Sequence, residues 1–192
     1  MKDRLQFSTD WTTNNTGNWM NAIGHLAGRP GVQGLEIGTW EGRSTAWFLE
    51  HIVTGDGAKI TTVDRNHKRF ENNRQILDDV YGAHLVSLER DATEFLLREA
   101  FHGNQYDFIY MDAAKDSALL IEHTGLAWKI LKKGGVIIFD DYQWPGNNPS
   151  IEGNSPRHFS NPPRIAIDAF LTCKYLEHDL LHKAWQAIVR KK

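Results

Sequence analysis

The chain has 192 residues, 41% of them apolar and 24% charged, with a formal net charge of −2. That length suits one domain with a sizeable core, and the charge balance leaves no general basic footprint for nucleic acid. A single cysteine, Cys173, excludes an intrachain disulfide, no stretch approaches the roughly 18 apolar residues of a membrane span, and MKDRLQFSTDWTTNN holds no apolar h-region, so a cytoplasmic protein is expected.

In chain order, residues 8–16 read as loop, and Thr16 caps a short helix over 17–27. Gly28–Gly31 breaks the chain. Short apolar runs then alternate with helical patterns. Residues 32–38 read as a strand, and 43–53 as a helix with Phe48, Leu49, Ile52 and Val53 on one face. A strand over 60–63 ends at Asp64, and a helix spans 68–77. A strand over 84–89 precedes a helix over 92–100. A strand over 107–111 ends at Asp112, and a helix over 117–131 stops at Gly134-Gly135. A strand over 136–139 ends at Asp140-Asp141, and since successive strand residues point to opposite faces, a sharp bend at Asp140 is expected if both acids are to reach one site. Residues 143–163, rich in Pro, Gly and Asn, form a loop whose length points to function or disorder. A helix over 164–173 follows. Two strand-like runs, 175–182 and 184–190, are separated only by Lys183 and can pair as an antiparallel hairpin.

Strands alternating with helices imply βαβ units, a mostly parallel sheet and helices on both faces. The expected fold is therefore α/β, a single domain over 1–192 with seven strands, the last two antiparallel. In such sheets ligands bind beyond the carboxyl ends of the strands. Gly38, Asp64, Asp112 and Asp140-Asp141 all fall at those ends.

The run Glu36-Ile-Gly38-Thr-Trp40-Glu-Gly42-Arg-Ser44 allows a tight strand-to-helix turn, and the helix that follows offers free N–H groups to an anion. Its spacing is neither that of dinucleotide binders nor a P-loop. A turn without ligand is the plainer reading. Asp64 can accept from both ribose hydroxyls or cap a helix. Asp91 can reach an adenine amino group or cap the helix after it. Asp112, Asp140 and Asp141 together make an all-oxygen cluster that repels itself unless a cation or proton intervenes, which suits Mg²⁺ or a similar ion; solvated strand ends are the alternative. The nine histidines form no convincing site, and no G-x-S-x-G elbow is present.

The segments EIGTWEGRST, TTVDRN, DFIYMDAAKD and LKKGGVIIFDDYQW, in this order and spacing, resemble class I S-adenosylmethionine-dependent methyltransferases. Within that class they resemble the metal-dependent O-methyltransferases of the catechol and caffeoyl-CoA type, and a group of bacterial methyltransferases of mostly unassigned substrate. The resemblance runs from FSTDW to WQAIVRKK and implies one Rossmann-like methyltransferase domain. It implies that Glu36, Gly38, Trp40 and Gly42 shape the methionine pocket and that Ser44 holds the carboxylate. Asp64 would hold the ribose, and Asp91 would lie near adenine. Asp112, at the border of the cofactor pocket, would coordinate Mg²⁺ or a similar divalent cation with Asp140 and Asp141. Lys115 would take the acceptor hydroxyl proton. The likeness departs at Asp141, where the catechol-type enzymes have Asn, and at Lys115, where many relatives have His.

The expected activity is metal-dependent methylation of a small-molecule hydroxyl, of the catechol or vicinal diol class. The rivals are an N-methyltransferase, a metal-free O-methyltransferase, and a cofactor-binding module without catalysis. Residues 1–30 would form an N-terminal lid and helix region, and 143–163 a substrate loop. The expected partner is a small acceptor, not nucleic acid or membrane, with a homo-oligomer allowed.

Overall fold

The computed structural model describes residues 4–145 and 162–192. Its single sheet has the order β3-β2-β1-β4-β5-β7-β6. β1 (Gln33–Ile37), β2 (Lys59–Asp64), β3 (Leu85–Glu89), β4 (Tyr106–Met111) and β5 (Leu131–Phe139) run parallel. β7 (Ala187–Lys191) is antiparallel to β5, and β6 (His178–Lys183) closes the edge antiparallel to β7. Six helices connect them: α1 (Thr16–Ile23), α2 (Arg43–His51), α3 (Glu71–Tyr81), α4 (Ala92–His102), α5 (Ser117–Ile130) and α6 (Pro163–Cys173).

The central strands are apolar on both faces because helices cover both. Period-two alternation divides them into two cores. Leu35, Ile37, Ile109, Met111, Ile137 and Phe139 pack on the side of Leu96, Trp128 and Phe170. Phe108, Tyr110, Val136 and Ile138 pack on the other side with Trp19, Ile23, Phe48 and Leu77. Asp116 caps α5 through the N–H groups of Ala118 and Leu119, at 2.9 and 3.3 Å.

Four backbone bonds hold the carboxyl ends of the parallel strands abreast. They run from Gly38 N–H to Val63 O (2.8 Å), Arg90 N–H to Asp64 O (2.8 Å), Asp112 N–H to Ile37 O (2.8 Å) and Asp140 N–H to Met111 O (3.0 Å). The strand-end acids therefore share one edge for a backbone reason, independent of any ligand.

Several element boundaries differ from the sequence expectation. The helix after Asp64 starts at Glu71, later than 68, because a turn comes first, with the N–H groups of Phe70 and Glu71 on His67 O. β5 begins at Leu131 directly after α5, where Leu131 pairs with Tyr106. In the C-terminal hairpin residues 184–186 make the turn, three residues where the pattern left only Lys183. Most of the expected 143–163 loop lies outside the described residues. Among the described residues, no helix is long and apolar enough to cross a membrane.

Trp19 fastens α1 to the sheet. It is fully buried, stacks on Phe48 at 5.0 Å, and meets Trp47 and Tyr110 edge-on at 5.1 and 5.2 Å. Its indole N–H donates to Gln186 Oε1 at 2.8 Å. Trp19→Ala leaves a large cavity and orphans that acceptor, so it is expected to cost roughly 3–5 kcal/mol. Urea denaturation checks this; a loss below about 1 kcal/mol would show that α1 is only loosely docked.

Candidate active site

Strand β1 ends in the turn that the two glycines make. Gly38 has φ 99°, and a Cβ there would lie 2.7 Å from the backbone oxygen of Asp112. Gly42 has φ 78°, and a Cβ there would enter the Phe70 ring. Between them Trp40 is also left-handed, at φ 51°. Its ring is half exposed, with the Arg69 guanidinium 4.3 Å from its centroid. Arg43 then opens α2, whose first N–H groups have no partner within the helix.

Beneath this loop Glu36 is fully buried. It accepts from the hydroxyls of Ser44 and Thr45 and, at 2.7 Å, from that of Thr62. The Ser44 hydroxyl, expected on the methionine carboxylate, thus points at Glu36. The anion contacts left at this turn are backbone N–H groups at the start of α2. Asp64 closes the loop from its inner side. Its Oδ2 accepts from the N–H groups of Thr39 (3.0 Å) and Trp40 (3.1 Å), and its Oδ1 from Asn66 N–H (3.2 Å). Asp91 caps α4 by accepting from Glu94 N–H at 3.1 Å, the capping geometry that its sequence position also allowed.

The three expected metal ligands are at one edge but do not face one point. β5 ends at Phe139, and the sharp bend expected there falls one residue later than Asp140, at Asp141 with φ 55°. The bend sends the two acids apart. Asp140 accepts from Tyr110 OH at 2.5 Å, from Gln186 Nε2 at 3.0 Å and from Asp141 N–H at 2.9 Å. Asp141 instead pairs with Lys115, which also holds Asp112. Tyr110 OH lies 3.4 Å from Asp112 Oδ2 as well. The acids and donors therefore alternate, as Asp140, Tyr110, Asp112, Lys115, Asp141. Among the described residues, no three His, Cys, Asp or Glu side chains are placed to hold a metal ion. In this arrangement the donor set does not fit a divalent cation, because an ammonium occupies the place between Asp112 and Asp141.

Burial pushes the Asp112 carboxyl up to about 8; Asp140 and Asp141 add to this, and the Lys115 ammonium opposes it. Asp141 is raised chiefly by burial too. For Lys115 burial works toward the neutral amine, but the carboxylates of Asp112 and Asp141 outweigh it and hold the ammonium above its usual range. Lys115 in this state is a cation, not a free base.

Three residues of the site were not assigned from the sequence. Tyr110 was findable, since it stands two residues before Asp112 on β4 and so shares its face. Gln186 is fully buried in the turn before β7, and Glu41 is nearly so beside Gly42. Their partners, Asp140 and Ser8, lie far off in the sequence, beyond what local periodicity can show.

This sheet order, glycine turn and row of strand-end acids define a class I methyltransferase fold. A family model for a methyltransferase domain matches residues 35–142, more than half of the sequence, and the chain belongs to that family. Caffeoyl-CoA O-methyltransferase 2 of Eucalyptus globulus is 28% identical over 141 residues, 71% of this chain and 54% of that protein. Caffeoyl-CoA O-methyltransferase 2 of Petunia hybrida is 29% identical over 118 residues, 59% of this chain and 47% of that protein. The chain spans about half the length of the curated relatives it matches. Among solved structures, the O-methyltransferase from Bacillus cereus in complex with SAH has a TM-score of 0.70 at 20% identity, covering 100% of this chain and 86% of that one. MycE methyltransferase from the mycinamycin biosynthetic pathway, in complex with Mg, SAH and mycinamycin VI, has a TM-score of 0.70 at 17% identity, covering 99% and 52%. These two likenesses concern the fold.

Glu36 makes the Gly38–Gly42 loop sensitive to pH. Burial raises its carboxyl from 4.5 to about 7 against the pull of three hydroxyl donors. The folded chain therefore holds this proton more tightly than the unfolded chain. No stability is lost below the unfolded value, and stability declines as pH rises from there through about 7, by roughly 3 kcal/mol in all. Glu36→Gln should flatten that decline. Urea denaturation from pH 5 to pH 8 reads it, and a wild-type profile no steeper than the variant's would contradict it.

Proposed function

We propose that the protein transfers the methyl group of S-adenosylmethionine to a hydroxyl oxygen of a small molecule. The observation that carries this reading is the pairing of the Gly38–Gly42 loop with Asp64, two strands away from a half-buried ammonium on Asp112 and Asp141. One half is suited to a nucleoside with an anionic amino-acid tail, the other to an oxygen that gains negative charge. The names of the sequence relatives support O-methylation, and the Bacillus cereus O-methyltransferase was solved with SAH.

S-adenosylmethionine would supply, when bound, an electrophilic methyl carbon open to direct attack by an acceptor oxygen, with the thioether of S-adenosylhomocysteine as the leaving group. Asp64 accepts hydrogen bonds from the ribose, and the start of α2 receives the carboxylate. As the carbon–oxygen bond forms and the carbon–sulfur bond breaks, the acceptor's proton must leave. Lys115 acts as a fixed positive charge beside the developing oxyanion rather than as the base. The proton passes to a carboxylate of the Asp112–Lys115–Asp141 clamp. The products are a methyl ether, S-adenosylhomocysteine and one proton.

A second reading keeps a divalent cation at this edge. It is favoured by the charge balance, three carboxylates against one ammonium, and by the magnesium in the MycE complex. The same reading favours a catechol or vicinal diol, whose two oxygens can chelate. The position of Lys115, on both Asp112 and Asp141, stands against it.

Two measurements test these assignments. Asp64→Ala should weaken S-adenosylhomocysteine binding by roughly 1.5–3 kcal/mol in calorimetry; wild-type protein that gives no heat and no thermal shift would remove the cofactor. Methyl transfer to a panel of phenols, catechols, vicinal diols and amines, followed by mass spectrometry, should give methylated hydroxyls in excess EDTA. Lys115→Met should lower turnover by about 10²–10³-fold. Activity that vanishes with EDTA and returns with Mg²⁺ hands the case to the second reading, and methylation of amines alone makes the protein an N-methyltransferase.

A further inference from the structure

We propose that the N-terminal segment Gln6–Asp10 is a latch that positions the cofactor loop, with Ser8 as its central positioning residue; this rests on the cofactor reading above. The segment reaches the loop through side chains rather than through the sheet. Glu41 is 9% exposed, and Ser8 occupies both of its carboxylate oxygens. Ser8 N–H donates to Oε2 and Ser8 Oγ to Oε1, each at 2.7 Å. Asn73 of α3 is 2% exposed and acts as a substitute backbone. Its Oδ1 accepts from Gln6 N–H at 2.9 Å, while its Nδ2 donates to Gln6 O at 2.7 Å and to Glu41 O at 2.9 Å. Arg43, the first residue of α2, pairs with Asp10 at 2.6 Å and lies over the Phe7 ring, 5.0 Å from its centroid.

A chain end that needs only fastening is held well by apolar contacts, and a buried carboxylate is a costly way to hold it. Here the buried polar groups are concentrated on one target, residues 41–43, and the same loop is held from the other side by Asp64 through Thr39 and Trp40. Residues 39–43 are thus clamped between the acid assigned to the ribose and the latch. Two of those five residues, Trp40 and Gly42, have positive φ, so the loop needs its restraints to keep this shape. A ligand that fixes Asp64 and the loop tightens the latch, and by linkage the latch raises the affinity for that ligand.

Hydrogen exchange and calorimetry with S-adenosylhomocysteine test the coupling on the intact chain. The Gln6 and Ser8 amides should exchange at least about tenfold more slowly when the ligand is bound. Ser8→Ala keeps its own N–H and removes one donor from an exposed position, so the fold should be retained. It should raise Kd about fivefold, and Ser8→Thr should restore it. A latch that only fastens the chain end would lower the melting temperature of Ser8→Ala and leave Kd unchanged. Equal Kd values with unchanged exchange at Gln6 and Ser8 overturn the latch alone. Wild-type protein that binds no S-adenosylhomocysteine overturns the cofactor reading and the latch with it.

Discussion

Three carboxylates, Asp112, Asp140 and Asp141, come to the ends of adjacent strands about 4.8 Å apart, and much of the surrounding structure exists to keep them there. Like charges this close, partly withdrawn from water, favour the neutral acid or require a compensating cation. The chain inserts a donor between each neighbouring pair. Lys115 separates Asp112 from Asp141, and Tyr110 separates Asp112 from Asp140. Asp140 is held further by Gln186, which in turn holds the indole of Trp19. The register that pairs Phe139 with Ala187 sets Gln186 beside Asp140. The antiparallel β7 and the N-terminal α1 are therefore connected to the acid row by direct hydrogen bonds. This gives the reversed last strand a role beyond closing the sheet.

The fold was legible because each parallel strand announces itself twice, by its apolar run and by the acid or glycine at or just beyond its end. The seven strands, the parallel body and the terminal hairpin follow from that pattern, while boundaries miss where a turn takes residues, as at 68–70 and 184–186, and where β5 begins at Leu131 directly after α5. That Gly38, Asp64, Asp112 and Asp140 share one edge was legible for the same reason, since they follow or end strands that are neighbours in the sheet. The direction of each side chain was not. Ser44 could face a ligand or the buried Glu36, and only the packing of α2 over β1 decides for Glu36. The bend after β5 was expected from the need to bring Asp140 and Asp141 together, yet its left-handed residue sends them to different partners. Period-two reasoning reaches Tyr110 from Asp112, but no periodicity links Gln186 to Asp140 across 46 residues or Ser8 to Glu41 across 33.

Glu36 and Glu41 complete a symmetry that the motif EIGTWEG conceals. Both are acids of the same turn, both are buried, and both are satisfied by hydroxyl groups. Glu36 anchors the turn from below through Ser44, Thr45 and Thr62, and Glu41 anchors it from outside through Ser8. Between these anchors, Trp40, one of the two residues there with positive φ, and its neighbour Thr39 donate their N–H groups to Asp64. A turn restrained on three sides before any ligand arrives loses little conformational freedom on binding. In a loose glycine-rich turn, part of the interaction with the ligand would go into ordering the chain. Here the glycines serve close approach and not mobility. Gly38 admits the backbone of Asp112, and Gly42 admits the ring of Phe70. The Gly38–Gly42 half of the edge is thus rigid by construction, and its geometry is tied through the Gly38–Asp112 approach to the first residue of the acid row. A shift at one half therefore displaces the other, which is the coupling that the proposed in-line methyl transfer needs.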